Sequence, residues 1–203
     1  MLVAVDGPCG VGKTTVTRLV ADALLERGVP ALATGQPSQS PMGKLARSST
    51  HELHGLALTF LMAADRHHHQ AEVIIPALDD GLVVVCDRYV PTALVLDQLD
   101  GTDPGFIMAV YRHMYRPDLA VLLTGESATC RARAAARGTY SRFHEGGTAA
   151  GEREAALYAG AGQLLSEVGY PLATVDTTGR PAARVAAEVL ALINDLVSVS
   201  ADQ

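Results

Sequence analysis

Aromatic residues are scarce in this sequence. Tryptophan is absent, and Phe, Tyr and Trp together supply 4% of the 203 positions. Hydrophobic residues nevertheless make up 48% of the chain and charged residues 19%, proportions that exclude a disordered or low-complexity protein. The core is therefore expected to be aliphatic. Because single cores commonly reach roughly 200 residues, we expect one domain over residues 1–203.

Long hydrophobic runs and cysteine patterns are also missing. No uncharged stretch approaches the roughly 20 residues that span a bilayer, and Asp6 interrupts the apolar start too early for a signal-peptide core. The three cysteines (Cys9, Cys86 and Cys130) lie far apart without Cys-x-x-Cys spacing, so the sequence indicates neither a disulfide framework nor a zinc site. The net charge is −6, so the protein repels nucleic acid and anionic membranes. We expect a cytoplasmic protein with neither as a partner.

Short aliphatic runs alternate with segments of helical spacing. The runs at 2–5, 31–34, 82–86, 119–124 and 172–176 carry almost no charge, as strands buried on both faces should. Helical spacing appears over 13–27, 53–78, 102–115, 127–137, 152–168 and 181–197, with a possible break in the second of these. This alternation predicts an α/β fold, a doubly wound parallel sheet covered by helices on both faces.

A phosphate-binding motif lies between the first predicted strand and the first predicted helix. Gly7-Pro-Cys-Gly-Val-Gly12-Lys13-Thr14 satisfies G-x-x-x-x-G-K-[ST] in the strand–loop–helix context that the motif requires. Its N–H groups and the helix N-terminus favour phosphate, the lysine reaches the outer phosphates, and the threonine hydroxyl ligates Mg²⁺. We expect the nucleotide to be bound by Gly7, Gly10, Val11, Gly12, Lys13, Thr14 and Thr15.

Two further features fit the same chemistry. The apolar strand at 82–86 ends in Asp87-Arg88-Tyr89, which puts Asp87 at the carboxyl edge of the sheet, where a carboxylate can hold the metal beside Thr14. Arginines at 131, 133, 137 and 142 follow a helix into a glycine-containing loop. In kinases such a segment folds over the donor and stabilises the transferring phosphoryl group. The expected catalytic residues are Lys13, Asp87, Arg88, Arg133, Arg137 and Arg142.

Together these features resemble the thymidylate kinase family of nucleoside monophosphate kinases. Further landmarks are the stretch from Phe60 to Arg66 leading to His69, Arg116-Pro-Asp-Leu119, and Arg142-Phe143. The resemblance implies a P-loop kinase fold with a five-stranded parallel sheet and a mobile lid over about 131–150. It also implies ATP and Mg²⁺ as cofactors, transfer of the γ-phosphoryl group to a nucleotide acceptor, and a homodimer formed through helices such as 53–78.

The sequence departs from the family on the acceptor side. Cys9 stands where the family has an acid that contacts the acceptor sugar, and Thr34-Gly35-Gln36-Pro37 replaces Thr-Arg-Glu-Pro. Met62 replaces the aromatic that stacks on thymine, and Leu96-Asp97 replaces a Tyr-Gln pair. We therefore expect a refitted acceptor pocket for a thymidylate-like nucleotide, with modified or non-thymine bases included. Its expected residues are Asp6, Cys9, Gln36, Pro37, Arg47, Met62, Arg66, Arg88, Tyr89 and Asp97.

Three alternatives remain open. The departures are also compatible with drift inside ordinary thymidylate kinases. A deoxynucleoside kinase would need a general base for the sugar hydroxyl, and Asp6 lies where such enzymes keep a glutamate. A regulatory P-loop ATPase would show no acceptor dependence. A regulatory GTPase is disfavoured, because the sequence lacks the Asn-Lys-x-Asp motif that GTPases use to bind guanine; its only asparagine is Asn194.

Overall fold

A computed structural model describes residues 1–138 and 141–201. Five strands form one parallel sheet in the order β2-β3-β1-β4-β5. Their bounds are Leu2–Asp6 (β1), Ala31–Gly35 (β2), Val83–Asp87 (β3), Leu119–Thr124 (β4) and Leu172–Asp176 (β5). All five predicted strands are present within one residue of their expected ends, which confirms the predicted α/β fold.

Nine α-helices connect and cover these strands in the described part of the chain. Their bounds are Lys13–Glu26 (α1), Pro41–Ser48 (α2), Gly55–His69 (α3), Ile75–Asp79 (α4), Val90–Leu99 (α5), Pro104–Tyr111 (α6), Ser127–Ala136 (α7), Thr148–Glu167 (α8) and Ala182–Ala201 (α9). Single 3₁₀ turns occupy Ser49–His51 and Arg142–His144. No helix among the described residues is long and apolar enough to cross a membrane.

Alternating side chains of the strands divide the core into two layers. Val3 and Val5 of β1 pack with apolar residues of α1 and α9, whereas Leu2 and Ala4 pack with those of α5 and α8. This is the consequence of the period of two along a strand. The middle strand is buried throughout, so the phosphate loop, defined as residues 7–14, leaves the sheet from its centre.

The sequence patterns do not predict helices α2 and α5, and they predict the segment 53–78 as one helix, with a possible break. Helix α5 is almost fully buried and has no polar face to give a helical period. Helix α2 is only eight residues long and is capped by Ser40, whose hydroxyl accepts the Gly43 N–H at 3.1 Å. The segment predicted as one helix over 53–78, with a possible break, is α3, a π-helical turn at Gln70–Ile74 and α4. Pro76 follows that turn and has no N–H to donate to it.

Candidate active site

Two glycines of the phosphate loop permit close contact with the rest of the fold. A Cβ atom on Gly7 would lie 2.3 Å from the carbonyl oxygen of Leu123, and one on Gly10 would lie 1.9 Å from that of Cys130. Both glycines also have positive φ angles, 142° and 81°, which L-residues with side chains rarely adopt. The loop therefore packs against β4 and α7 in a shape that only glycine allows.

The Lys13 ammonium lies inside this loop. Its Nζ donates to the carbonyl oxygens of Gly7 at 2.6 Å and Pro8 at 2.8 Å. The pKa of Lys13 is lowered to about 8, chiefly by burial and also by the Arg88 charge, against the opposing charges of Asp87 and Glu154. A buried ammonium held by neutral carbonyls gains from an anion, because charge-assisted hydrogen bonds to phosphate are stronger.

Thr14 and Asp87 form the oxygen-lined site that the sequence predicts. The Thr14 hydroxyl donates to Oδ2 of Asp87 at 2.5 Å, because β1 and β3 are neighbours with Val5 and Asp87 in register. The other carboxylate oxygen, Oδ1, is buried and has no hydrogen-bond partner among the described residues. A buried, unpaired anionic oxygen beside a hydroxyl suits a hard cation with oxygen ligands such as Mg²⁺.

Magnesium is commonly held by one or two carboxylates together with substrate phosphates. The described residues contain no cluster of three or more His, Cys, Asp or Glu side chains that would hold a metal alone. The Thr14 and Asp87 pair therefore fits a metal that arrives with a nucleotide.

Arg88 has an unusual backbone conformation at the centre of the site. Its φ angle is +71°, and such a left-handed conformation costs a non-glycine residue about 1–3 kcal/mol. Its N–H donates to the carbonyl oxygen of Val5 at 2.9 Å, continuing the contact between β3 and β1. Strain of this kind is concentrated at functional sites.

One cavity of about 590 Å³ joins the phosphate loop to the expected acceptor side. Residues from three parts of the fold line it. From the donor side come Gly10, Gly12, Lys13, Thr14, Asp87 and Arg88; from the acceptor side Gln36, Pro37, Arg47, Met62, Arg66 and Leu96; and from the lid Arg137 and Ser141. The structure thus brings most of the predicted residues to one place.

Asp6 and Tyr89 lie elsewhere. Asp6 is 0% exposed, and its Oδ1 accepts the N–H groups of Tyr89 and Thr92, both at 3.0 Å, and the Thr92 hydroxyl at 2.6 Å. Burial raises its pKa, which these hydrogen bonds oppose. The carboxylate therefore satisfies the first turn of α5. The Tyr89 hydroxyl donates to the Tyr115 carbonyl at 2.8 Å. Neither Asp6 nor Tyr89 is among the described residues that line the cavity, although the sequence predicts both on the acceptor side.

Arg66 and Met62 form the wall of the acceptor side. The Arg66 guanidinium donates from Nη1 to the Tyr89 carbonyl and lies 5.5 Å from the centroid of the Tyr111 ring. Its Nε is buried with no hydrogen-bond partner within the described ranges. Met62 packs with Leu58 in a small apolar cluster. Arg66 is therefore fixed in place with an unused donor, and the neighbouring wall is aliphatic.

The loop after β2 is held by side chains that sequence patterns do not single out. Asp65 is fully buried and accepts from the Ser38 N–H at 2.7 Å, the Ser38 hydroxyl at 2.6 Å and the Ser40 hydroxyl at 3.1 Å. Arg47 donates to the carbonyl of Pro37 at 2.6 Å, and the Gln36–Pro37 peptide bond is cis. An acid inside an apolar helix face, directly before Arg66, was the signal available for Asp65.

His69 supports the same loop. Its Nε2 lies 2.7 Å from the Thr34 hydroxyl, and its Nδ1 lies 3.3 Å from Nε2 of Gln36. Burial lowers the pKa of His69, which the charge of Asp65 opposes. The imidazole therefore bridges α3 to the end of β2.

Asp97 and Cys9 are buried outside the lining of the cavity. Burial raises the pKa of Asp97 to about 6, and the charge of Arg66 opposes this shift. Its neighbour Leu96 faces the cavity instead. The Cys9 side chain is buried, and its N–H donates to Oε1 of Glu154 at 3.0 Å. Both residues are expected in the acceptor pocket from the sequence, but neither is among the described residues that line the cavity.

The expected lid arginines divide into three environments. Arg137 lines the cavity, and Arg133 is exposed on α7 away from it. Arg142 donates to the Thr50 carbonyl at 2.9 Å, and its Nη2 lies 2.6 Å from Oδ1 of Asp100. Of the three lid arginines predicted to be catalytic, only Arg137 lines the cavity among the described residues. Thr139 and Tyr140 of the lid lie outside the described residues.

A family sequence model and individual relatives all relate this chain to the same family. The sequence model for thymidylate kinase matches residues 5–150. A probable thymidylate kinase of Caldivirga maquilingensis is 35% identical over 147 residues, covering 70% of this chain and 72% of that protein. One from Pyrococcus horikoshii is 35% identical over 149 residues, covering 70% and 73%. One from Pyrobaculum calidifontis is 33% identical over 198 residues and covers 95% of both chains.

Proposed function

Because this chain belongs to the thymidylate kinase family, whose sequence model matches residues 5–150, we propose that it transfers the γ-phosphoryl group of ATP to a thymidylate-like nucleoside monophosphate. The whole chain acts as one kinase domain in this proposal. This chain covers 95% of the length of one relative that is named a probable thymidylate kinase. This similarity supports a phosphotransferase acting on nucleotides.

The observation that carries the proposal is the continuity of the cavity. Lys13 and Thr14 of the phosphate loop line the same cavity as Arg47 and Arg66 of the expected acceptor side. A kinase must hold two anions in line, so basic groups from both sides in one cavity of about 590 Å³ suit a phosphate donor and a phosphate acceptor.

Donor binding is assigned to the phosphate loop. The N–H groups from Gly10 to Thr14 and the Lys13 ammonium would hold the phosphates, and Thr14 with Asp87 would hold Mg²⁺. When bound, the metal neutralises phosphate charge. Arg88 and Arg137 supply fixed positive charge on the cavity wall.

A phosphate acceptor is favoured over a sugar hydroxyl. A phosphate oxygen is already a nucleophile and needs no general base, whereas a hydroxyl needs one within hydrogen-bond reach. Asp6, the base of the nucleoside kinase alternative, is 0% exposed and is not among the described residues that line the cavity. Its Oδ1 accepts three hydrogen bonds from Tyr89 and Thr92, and its Oδ2 is buried without a partner among the described residues. Positioning and charge neutralisation are therefore the tasks of this site.

The base of the acceptor is proposed to differ from unmodified thymine. Met62 and Leu96 supply aliphatic contacts to the cavity where the family has aromatic rings. Losing a base-stacking ring weakens nucleotide binding by about 1–3 kcal/mol. Arg47, Arg66 and Arg88 remain to bind the acceptor phosphate and the edge of a base.

A second copy of the chain is the proposed partner. Leu56 and Phe60 on α3 are exposed, and the Phe60 ring meets that of Phe106 edge to face, with centroids 5.9 Å apart. An apolar patch on a helix that also carries Met62 and Arg66 suits a homodimer contact. Phe60→Asp is expected to shift the mass measured by light scattering from dimer to monomer.

A coupled ATP assay tests the function. Thymidylate, deoxyuridylate, deoxycytidylate, uridylate and the corresponding free nucleosides are each offered as acceptor. We expect ATP consumption that depends on a nucleoside monophosphate. Preference for free nucleosides would overturn the phosphate-acceptor mechanism, and acceptor-independent hydrolysis would favour a regulatory ATPase. A clear preference for thymidylate would overturn the refitted pocket but not the kinase assignment.

A further inference from the structure

A buried acid on α8 contacts the phosphate loop from behind. Glu154 is 1% exposed, and its Oε1 accepts the N–H of Cys9 at 3.0 Å. Its Oε2 accepts from Nη2 of Arg131 on α7 at 3.2 Å. Each carboxylate oxygen therefore has one partner, from two different segments of the chain.

Arg131 forms an ion pair with Glu154. It is not among the described residues that line the cavity. Its side chain is 9% exposed, and its Nη1 lies 3.5 Å from the carbonyl of Phe143 and 3.3 Å from that of Glu145. Gly151 on α8 makes room for it, because a Cβ there would lie 3.0 Å from the Arg131 side chain. The arginine thus orients the carboxylate that reaches Cys9.

The contact with Cys9 is placed where it can set the shape of the loop. Cys9 lies between Gly7 and Gly10, the two glycines whose close contacts with Leu123 and Cys130 define the turn. Val11 donates to the Pro8 carbonyl at 3.3 Å, which closes the turn around Cys9. A buried N–H that loses its acceptor is destabilising, so loss of this contact favours a different loop conformation.

We propose that Glu154 is a positioning residue for the phosphate loop: its carboxylate fixes the Cys9 N–H and thereby holds the following N–H groups in the arrangement that binds the ATP phosphates. The inference rests on the proposed function for the identity of the ligand. Its structural part, the fixed conformation of the loop, is independent of any acceptor.

The Cys9 substitution is consistent with this arrangement. Cys9 is 2% exposed and its N–H contacts Glu154, so a carboxylate at position 9 would add a second buried acid near the first, and nearby buried carboxylates repel. The small, neutral side chain of Cys9 allows the acid to approach from α8. Glu154 also acts on Lys13, whose pKa its charge raises.

A matched pair of double variants tests the proposal. Arg131→Met with Glu154→Gln removes both charges but keeps an amide oxygen for the Cys9 N–H. Arg131→Met with Glu154→Met removes the charges and the acceptor, at similar volume. Replacing a buried ion pair by apolar groups commonly preserves stability, so both proteins are expected to fold with comparable melting temperatures.

Three quantities are then compared between the two variants. Hydrogen exchange at the Cys9 amide in the ligand-free proteins should be at least tenfold faster in the methionine–methionine variant than in the methionine–glutamine variant. The KM for ATP should rise at least tenfold in the former and stay within about fivefold of the wild-type value in the latter. The KM for the nucleotide acceptor should change by less than threefold in both.

Equal exchange rates in the two variants would overturn the proposal, as would equal ATP affinities. If the wild-type protein phosphorylates no nucleotide, the proposed function fails, while hydrogen exchange and binding of a non-hydrolysable ATP analogue still decide the role of Glu154. A rise in the acceptor KM alone would place the effect of Glu154 on the acceptor side and would also contradict the positioning role.

Discussion

The Thr14 hydroxyl oxygen and Oδ2 of Asp87 lie 2.5 Å apart, although the two residues are 73 positions apart in the sequence. Adjacent parallel strands bring them together, since β1 leads into the phosphate loop and β3 ends at Asp87. The contact links the two sequence motifs into one site. It also leaves Oδ1 of Asp87 without a partner in the described part of the chain, which gives the first prediction.

Asp87→Asn should remove the metal site without disturbing the fold. The amide keeps the shape of the side chain and an acceptor for Thr14 but carries no charge. We expect kcat to fall by about 100-fold or more, a loss typical of removing one electrostatic group from a phosphoryl-transfer site, with a higher Mg²⁺ requirement. Initial rates over a magnesium titration measure both. Asp22→Asn, on the exposed side of α1, is the control for net charge, and equal behaviour of the two variants would contradict the assignment.

ATP binding should weaken above pH 8. The ligand-free protein holds Lys13 at a pKa of about 8 because of burial, and bound phosphate favours the charged ammonium. Above pH 8, binding must therefore take up a proton, and affinity should fall by as much as tenfold per pH unit. Calorimetry at pH 9 in buffers of different ionisation enthalpy measures the uptake. Lys13→Arg stays charged and should show no uptake, and zero uptake by the wild-type protein would contradict the prediction.

Asp97→Asn should stabilise the protein at neutral pH. Burial raises the folded-state pKa of Asp97 from 3.8 to about 6, so the native state holds more protons than the unfolded chain between these values. Stability therefore falls as pH rises through this window, and the full penalty, at most about 3 kcal/mol, is present above it. Urea unfolding should show the variant more stable at pH 7.5 and equal to the wild type near pH 4. No difference at pH 7.5 would contradict the prediction.

The donor side could be predicted from the sequence because its information is local. Gly7, Gly10 and Gly12 meet conformational demands inside eight consecutive residues, and Asp87 is found from the end of its strand. Asp6 and Tyr89 could not be assigned in this way. Their roles depend on how the buried helix α5 packs, and that helix has no polar face to give a periodic pattern.

The roles of side chains that act through tertiary contacts could not be predicted from the sequence either, because their partners are distant along the chain. Glu154 lies in an alanine-rich helix, and nothing in its neighbours indicates that it reaches Cys9, 145 positions away. Arg142 belongs to the family pattern, but its partners, Thr50 and Asp100, are distant in the sequence. Residue type and spacing predict chemistry, whereas the direction of a side chain follows from packing.

Replacing Arg137 should reduce catalysis, whereas replacing Arg142 should mainly reduce stability. Arg137 lines the cavity, so Arg137→Ala should lower kcat by about 10²- to 10³-fold with an unchanged melting temperature. Arg142 pairs with the partly buried Asp100, so Arg142→Ala should lower the melting temperature and reduce kcat less than tenfold. Arg133→Ala removes an exposed charge from α7 and is the matched comparison, with less than a threefold change. A larger kcat loss in Arg142→Ala than in Arg137→Ala would reverse the assignment.

Met62→Phe should restore affinity for thymidylate. Met62 is 8% exposed and packs with Leu58 and Phe143 while facing the cavity, so a ring at this position would lie against the bound base at a modest increase in volume. Stacking contributes about 1–3 kcal/mol per base, which corresponds to a fall in the thymidylate KM of roughly 5- to 150-fold. Met62→Leu changes the shape of the side chain without adding a ring and should leave the order of acceptor preference unchanged. Steady-state rates across the same nucleotides measure the effect. If the wild-type protein already prefers thymidylate and Met62→Phe leaves its KM unchanged, neighbouring groups replace the missing ring and the pocket is that of an ordinary thymidylate kinase.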